Sequence, residues 1–181
     1  MPSPFRPAND LMVQYAEYHR DRRNIATHLV GVPLIVFGVG VLLARPSFEV
    51  AGLALTPAWI AWALSAQWYL TRGNALLGFA TSAVVGVLVA LGQPFAATST
   101  AGWLGCGLGA FVVGWVIQFV GHYYEGRKPA FADDVVGLLI GPMFVVGEVL
   151  FTLGLCRPLA AEIESRAGPT HRRDMARPAS R

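Results

Sequence analysis

Charged side chains are scarce in this chain, at 14% of 181 residues, while hydrophobic ones make up 54%. That balance excludes an ordinary soluble domain and points to an all-α integral membrane protein of one domain. Cysteine is almost missing too. Cys106 and Cys156 each stand alone in apolar sequence, which excludes a disulfide framework and a cysteine-rich metal site and leaves both as packing residues. The segment Met1 to Asp10 is polar and proline-rich, so it lacks the apolar core of a signal peptide and no cleavage is expected. Internal repeats and low-complexity stretches are absent, and nothing resembles a nucleic-acid-binding module, so no nucleic-acid partner is expected.

The net charge of +3 comes from the end of the chain, where Arg157, Arg166, Arg172, Arg173, Arg177 and Arg181 face only Glu162, Glu164 and Asp174. A basic tail beside a membrane protein meets anionic lipid headgroups. The sequence therefore divides into a membrane-embedded domain, residues 1–156, and a basic, flexible tail, residues 157–181.

The apolar runs give the topology. Asp10 caps an amphipathic helix, Leu11 to Arg22, lying at the headgroup level. Four transmembrane helices follow: Ile25 to Ala44, Pro57 to Leu70 if Leu53 to Thr56 extend it, Ala75 to Leu91, and Gly102 to Tyr124. Trp59 and Trp62 at one end of the second span, with Trp68 and Tyr69 at the other, read as aromatic belts. The Gly105/Gly109 pair in the fourth span offers a close helix approach. A fifth run, Val135 to Leu155, is interrupted by Gly141-Pro142 and reads as a broken, re-entrant segment. Arg20, Arg22, Arg23, Arg72, Arg127 and Lys128 flank one side and only Arg45 the other, which puts the first side in the cytoplasm. The host membrane is an inner membrane in a bacterium or the endoplasmic reticulum in a eukaryote.

Only four histidines are present, and three fall at span ends on that same side. Neutral imidazole suits Zn, Cu, Fe or Ni. On one continuous helix His19 and His28 would point to opposite faces, but Asp21 and Asn24 break the run, and Asn24 stands where an N-cap belongs. The bend brings His19 back over His28, which shares a helical face with Asn24. Across the bundle, Gln118, His122 and Glu125 form one stripe at i, i+4 and i+7. His19, His28 and His122 are thus the candidate metal ligands. Glu125 is placed to accept from a ligand's other ring nitrogen. Glu148, a carboxylate in apolar sequence, is functional by default, holding a ligand histidine or pairing with an arginine. His171 reads as solvated and uninvolved.

The pattern His19-x4-Asn24-x3-His28-x2-Gly31-x-Pro33, followed by Gln118-x2-Gly121-His122 and Pro129-Ala130, resembles the Fe(II)-dependent 2-hydroxy fatty acid dioxygenases, membrane enzymes of sphingolipid breakdown. The likeness covers roughly Asp10 to Leu155. It implies that Fe(II) and O2 convert a long-chain 2-hydroxy fatty acid into the acid one carbon shorter, with loss of CO2. Three imidazoles would leave positions open for the substrate's carboxylate and α-hydroxyl and for O2, and Arg20, Arg22 or Arg23 would meet the carboxylate. Two other readings stay open on the residues alone. One is a three-histidine zinc hydrolase of membrane lipids, which wants a partner such as Asp21 or Asp133. The other is a non-catalytic, lipid-binding scaffold with interfacial histidines.

Overall fold

The computed structural model describes residues 5–50, 52–127 and 136–176. Lys128, Pro129, Ala130, Asp133, Val135, Arg177 and Arg181, invoked above, lie outside them. In order, the described chain forms α1 (Ala8–Ala16), α2 (Arg22–Ala44), a hairpin of β1 (Phe48–Val50) and β2 (Leu53–Leu55), then α3 (Pro57–Leu70) and α4 (Ala75–Gly92). A 3-10 turn (Gln93–Ala97) leads to α5 (Thr100–Glu125), α6 (Gly137–Thr152) and α7 (Arg157–Ala167). The fold is helical apart from that hairpin.

Three segments are long and apolar enough to cross a membrane: α2, α4 with its 3-10 extension, and α5. A fourth is gained if the bent pair α6 and α7 counts as one span. The expected second span is shorter than the reading required. Gly52, at φ 78°, turns the chain so that Leu53–Leu55 pair with Phe48–Val50 and cannot lengthen α3. At 14 residues, α3 rises about 21 Å against the ~30 Å of a bilayer core. Tyr69, expected in an aromatic belt, is buried and donates its hydroxyl to Leu139 O.

α2 and α5 share the most extensive helix interface, and the glycines responsible are not the pair singled out from the sequence. Nothing approaches a Cβ added at Gly105 or Gly109. Gly107, Gly114 and Gly121 recur every seven residues instead and meet Gly38, Gly31 and Asn24, also seven apart, in antiparallel register. A Cβ on Gly38 would stand 2.7 Å from Gly107 O, and one on Gly114 would stand 2.8 Å from Gly31 O. One on Gly121 would overlap Thr27 Oγ1 and approach Asn24 Oδ1 to 2.5 Å. Removing side chains along this seam lets the two backbones touch. Its register sets the start of α2 against the end of α5.

The sequence also misplaced two breaks. α1 ends at Ala16, not Arg22, because Tyr18 and His19 donate their amides three residues back, to Tyr15 and Ala16, and tighten the chain out of the helix. α1 is packed within the protein: Leu11, Met12, Val13 and Tyr15 are buried, and α6 and α7 pack on it. In α6 the helix runs through Gly141-Pro142 without interruption, supported by α1, α2 and α4 packed around it. The turn comes after Thr152, where Gly154 and Cys156 take left-handed conformations and α7 departs at 112°. Where a loose tail was expected, the chain forms α7 and continues, through residue 176, against α1 and the turn before α2.

Candidate metal centre

His19 lies in the turn between α1 and α2, His28 on the first turns of α2, and His122 on the last turn of α5. The three rings are buried, and one ligand atom from each lies within 4.8 Å of the others. They form the one such trio of metal-binding side chains among the described residues.

The hydrogen-bond chemistry argues for a cation among them. His19 Nδ1 lies 2.7 Å from Tyr15 O and His28 Nδ1 lies 2.9 Å from Asn24 O, in each case the carbonyl four residues upstream. A carbonyl oxygen only accepts, so both Nδ1 atoms carry the proton and both Nε2 atoms present a bare lone pair. Those lone pairs face each other at 3.0 Å. Two acceptors at that distance repel unless a positive charge joins them. Burial, reinforced by His28, His122 and Arg20, keeps the His19 ring below the ordinary imidazole range and so neutral. His122 Nδ1 is buried with no hydrogen-bond partner. Tyr15 stacks flat on His19, with centroids 4.2 Å apart, and fixes the ring's plane. A donor set of three imidazoles, two of them oriented through their far nitrogens by carbonyls, suits a first-row transition metal.

The turn carrying His19 is held from two directions. From α5, the Glu125 carboxylate accepts from the backbone amides of Arg20 (3.1 Å) and Asp21 (2.8 Å) and from Asn24 Nδ2 (3.0 Å). Glu125 therefore holds backbone, whereas the reading from the sequence had it hold a ring. From the C-terminus, His171 forms a parallel bridge with Asp21: Arg22 N donates to His171 O and His171 N donates to Arg20 O, both at 2.9 Å. The His171 ring is exposed, as expected, but its backbone is engaged. Asp21, not Asn24, is the N-cap of α2, accepting from Arg23 N. Its carboxylate also takes the Arg23 guanidinium and Arg173 N. Burial raises the Asp21 pKa, but those hydrogen bonds outweigh it and hold the carboxyl at about 2.

The arginines considered for substrate are already occupied. Arg20 is buried, donates to Ala16 O, His19 O and Gly168 O, and stands 4.0 Å from Glu148, which pairs with it and not with a histidine. Arg23 binds Asp21 and lies over the Tyr124 ring. Gln118 is different: buried, with its Nε2 unpartnered, it lines a cavity of about 60 Å³ together with His28 and His122. Tyr15 and Arg173 escaped the sequence reading as parts of the site, and Asp21 entered it only as a turn residue and a possible hydrolytic partner. For Tyr15 the signal was its place four residues before His19, the same offset that Asn24 keeps from His28.

A family model described as 2-hydroxy-palmitic acid dioxygenase Mpo1-like matches residues 5–153. The 2-hydroxy-palmitic acid dioxygenase MPO1 of Saccharomyces cerevisiae is 32% identical over 153 residues, covering 83% of this chain and 83% of the yeast protein. No solved structure matches the chain. α7 and the strand-like segment after it lie beyond the matched residues.

Proposed function

Since the chain belongs to the Mpo1-like family of 2-hydroxy-palmitic acid dioxygenases, we propose that it is a membrane-embedded non-haem iron dioxygenase acting on long-chain 2-hydroxy fatty acids. The reaction breaks the bond between the α-carbon and the carboxyl carbon. The carboxyl leaves as CO2, the α-carbon rises from alcohol to carboxylic acid, and one O2 is the oxidant, with water as the remaining product. Bound Fe(II) would supply open coordination positions and the redox chemistry with O2.

The observation that carries this reading is the confrontation of the two proton-free Nε2 atoms of His19 and His28 at 3.0 Å, with His122 beside them. These residues would hold the metal, while the carbonyls of Tyr15 and Asn24 orient two of the rings. Gln118 Nε2 is a free donor for a substrate oxygen at the same cavity. Against a zinc hydrolase stands the engagement of Asp21, whose carboxylate is committed to Arg23 and Arg173 and is not poised to activate water. The site would face the cytoplasm, with Arg20, Arg22, Arg23, Arg72 and Arg127 on its side of the membrane.

The test is metal analysis and turnover on the purified full chain. We expect iron, and O2-dependent conversion of 2-hydroxyhexadecanoic acid to the acid one carbon shorter, with hexadecanoic acid inert because it lacks the second chelating oxygen. Single His19→Ala, His28→Ala and His122→Ala variants should lose the metal and keep their helicity. Turnover with zinc in the absence of O2, or full metal retention in all three variants, would refute it.

A further inference from the structure

The small cavity at His28, His122 and Gln118 does not end there. Ile35, Val36, Trp115, Leu138 and Pro142 line both it and a larger groove of about 330 Å³, so the two adjoin. On α2 the lining includes His28, Val32, Val36, Val39 and Leu43, steps of three or four residues that keep to one helical face. The fifteen residues from His28 to Leu43 rise about 22 Å, with Val39 at about 16 Å. α3 forms the opposite wall through Ala58, Ala61 and Trp62.

The groove wall is almost entirely hydrocarbon. Its polar side chains have each been spent: Ser65 Oγ donates to Trp62 O, Trp62 Nε1 to Ser82 O, and Tyr69 OH to Leu139 O. At the histidine end the chemistry reverses. There Gln118, 4% exposed and with its Nε2 unpartnered, lines the cavity beside the imidazoles. An occupant must therefore have a polar head able to accept a hydrogen bond and a long unbranched apolar tail.

We propose that this groove is the acyl-chain site and that α2 serves as its ruler, with Val39 and Leu43 setting how long a chain is accepted. The proposal rests on the reading of the protein as a 2-hydroxy fatty acid dioxygenase and adds to it the path of the tail and the residues that select its length. Val39 is partly exposed on the groove side, so a larger side chain there fills the groove without entering the helix seam.

Two measurements on the full-length protein test it. In the first, a 2-hydroxy fatty acid carrying a terminal diazirine is photo-crosslinked and the adduct mapped by peptide mass spectrometry. Labelling is expected near Leu43 and Ala58, reduced by excess 2-hydroxyhexadecanoic acid. In the second, Val39→Trp and Leu43→Trp are compared with the parent on a series of 2-hydroxy acids of increasing length. Val39→Trp should lower turnover of long chains about tenfold or more relative to short ones, and Leu43→Trp should affect only the longest. Crosslinks confined to the outer face of α5, at Val112 or Val116, with an unchanged length profile would overturn the groove while leaving the dioxygenase reading intact. Groove labelling in a protein that turns over no 2-hydroxy acid would uphold the groove and overturn that reading.

Discussion

The backbone amide of Asp21 donates to Glu125 Oε2 at 2.8 Å, tying the turn that bears His19 to the helix that bears His122. The carboxylate sits at the N-terminal end of α2, where its charge is favoured by the helix dipole as well as by three donors. Replacing Glu125 with Ala leaves the amides of Arg20 and Asp21 buried without an acceptor, and Asn24 Nδ2 with only Tyr18 O. An unsatisfied buried donor costs ~1–3 kcal/mol. Glu125→Ala should therefore lower stability by on the order of 3 kcal/mol and weaken metal binding, with Glu125→Gln intermediate because one oxygen remains. Thermal unfolding in detergent and metal titration check both.

How much of this was readable in advance follows from the range of each interaction. The histidines converge because successive apolar helices reverse direction, which hydropathy shows even though α3, at 14 residues, falls short of a span. The partners of Glu125 are backbone groups about a hundred positions away, which no spacing within α5 reveals. Asn24 looked like the cap because it adjoins the apolar run, but Asp21 stands three residues earlier and takes the role. Gly105 and Gly109 match a local motif, whereas the working seam is a seven-residue ladder shared by two helices and visible only once both are aligned.

That seam gives a paired prediction. Gly121→Ala places a Cβ against Thr27 and Asn24, next to His122 and within a turn of His28. Overpacking of this kind costs ~1–3 kcal/mol, and the shift it forces should also weaken metal binding. Gly109→Ala meets nothing within 4 Å and gains helix propensity, so it should be neutral or stabilising by up to ~1 kcal/mol. Thermal unfolding of both variants decides whether the ladder or the local motif matters.

The C-terminal segment should behave as a clamp on the metal site even though it lies outside the family match. Arg173 N binds Asp21, its guanidinium reaches Tyr124 O, and its carbonyl accepts from Arg23. A chain ending at Gly168 loses these bonds and the His171 bridge but keeps α7. Metal affinity should fall ~10–100-fold, the scale on which groups that orient ligands act, and the amide of Arg22 should exchange faster with solvent. Unchanged metal affinity and exchange would mean that the segment merely lies on the surface.

Orientation is the last property to be tested, and the fold supplies the positions for it. Ala8 N donates to Arg72 O, so the α3–α4 turn lies beside α1 at the histidine end of the bundle. Arg45 reaches Thr98 and Thr100 at the far end of α2, and Ser47 follows it there. With basic residues gathered at the first end, the positive-inside rule predicts that this end faces the cytoplasm. In a background with Cys106 and Cys156 replaced, a cysteine at position 72 should resist a membrane-impermeant thiol reagent added outside intact cells, and one at position 47 should react. The opposite pattern would invert the protein in the membrane.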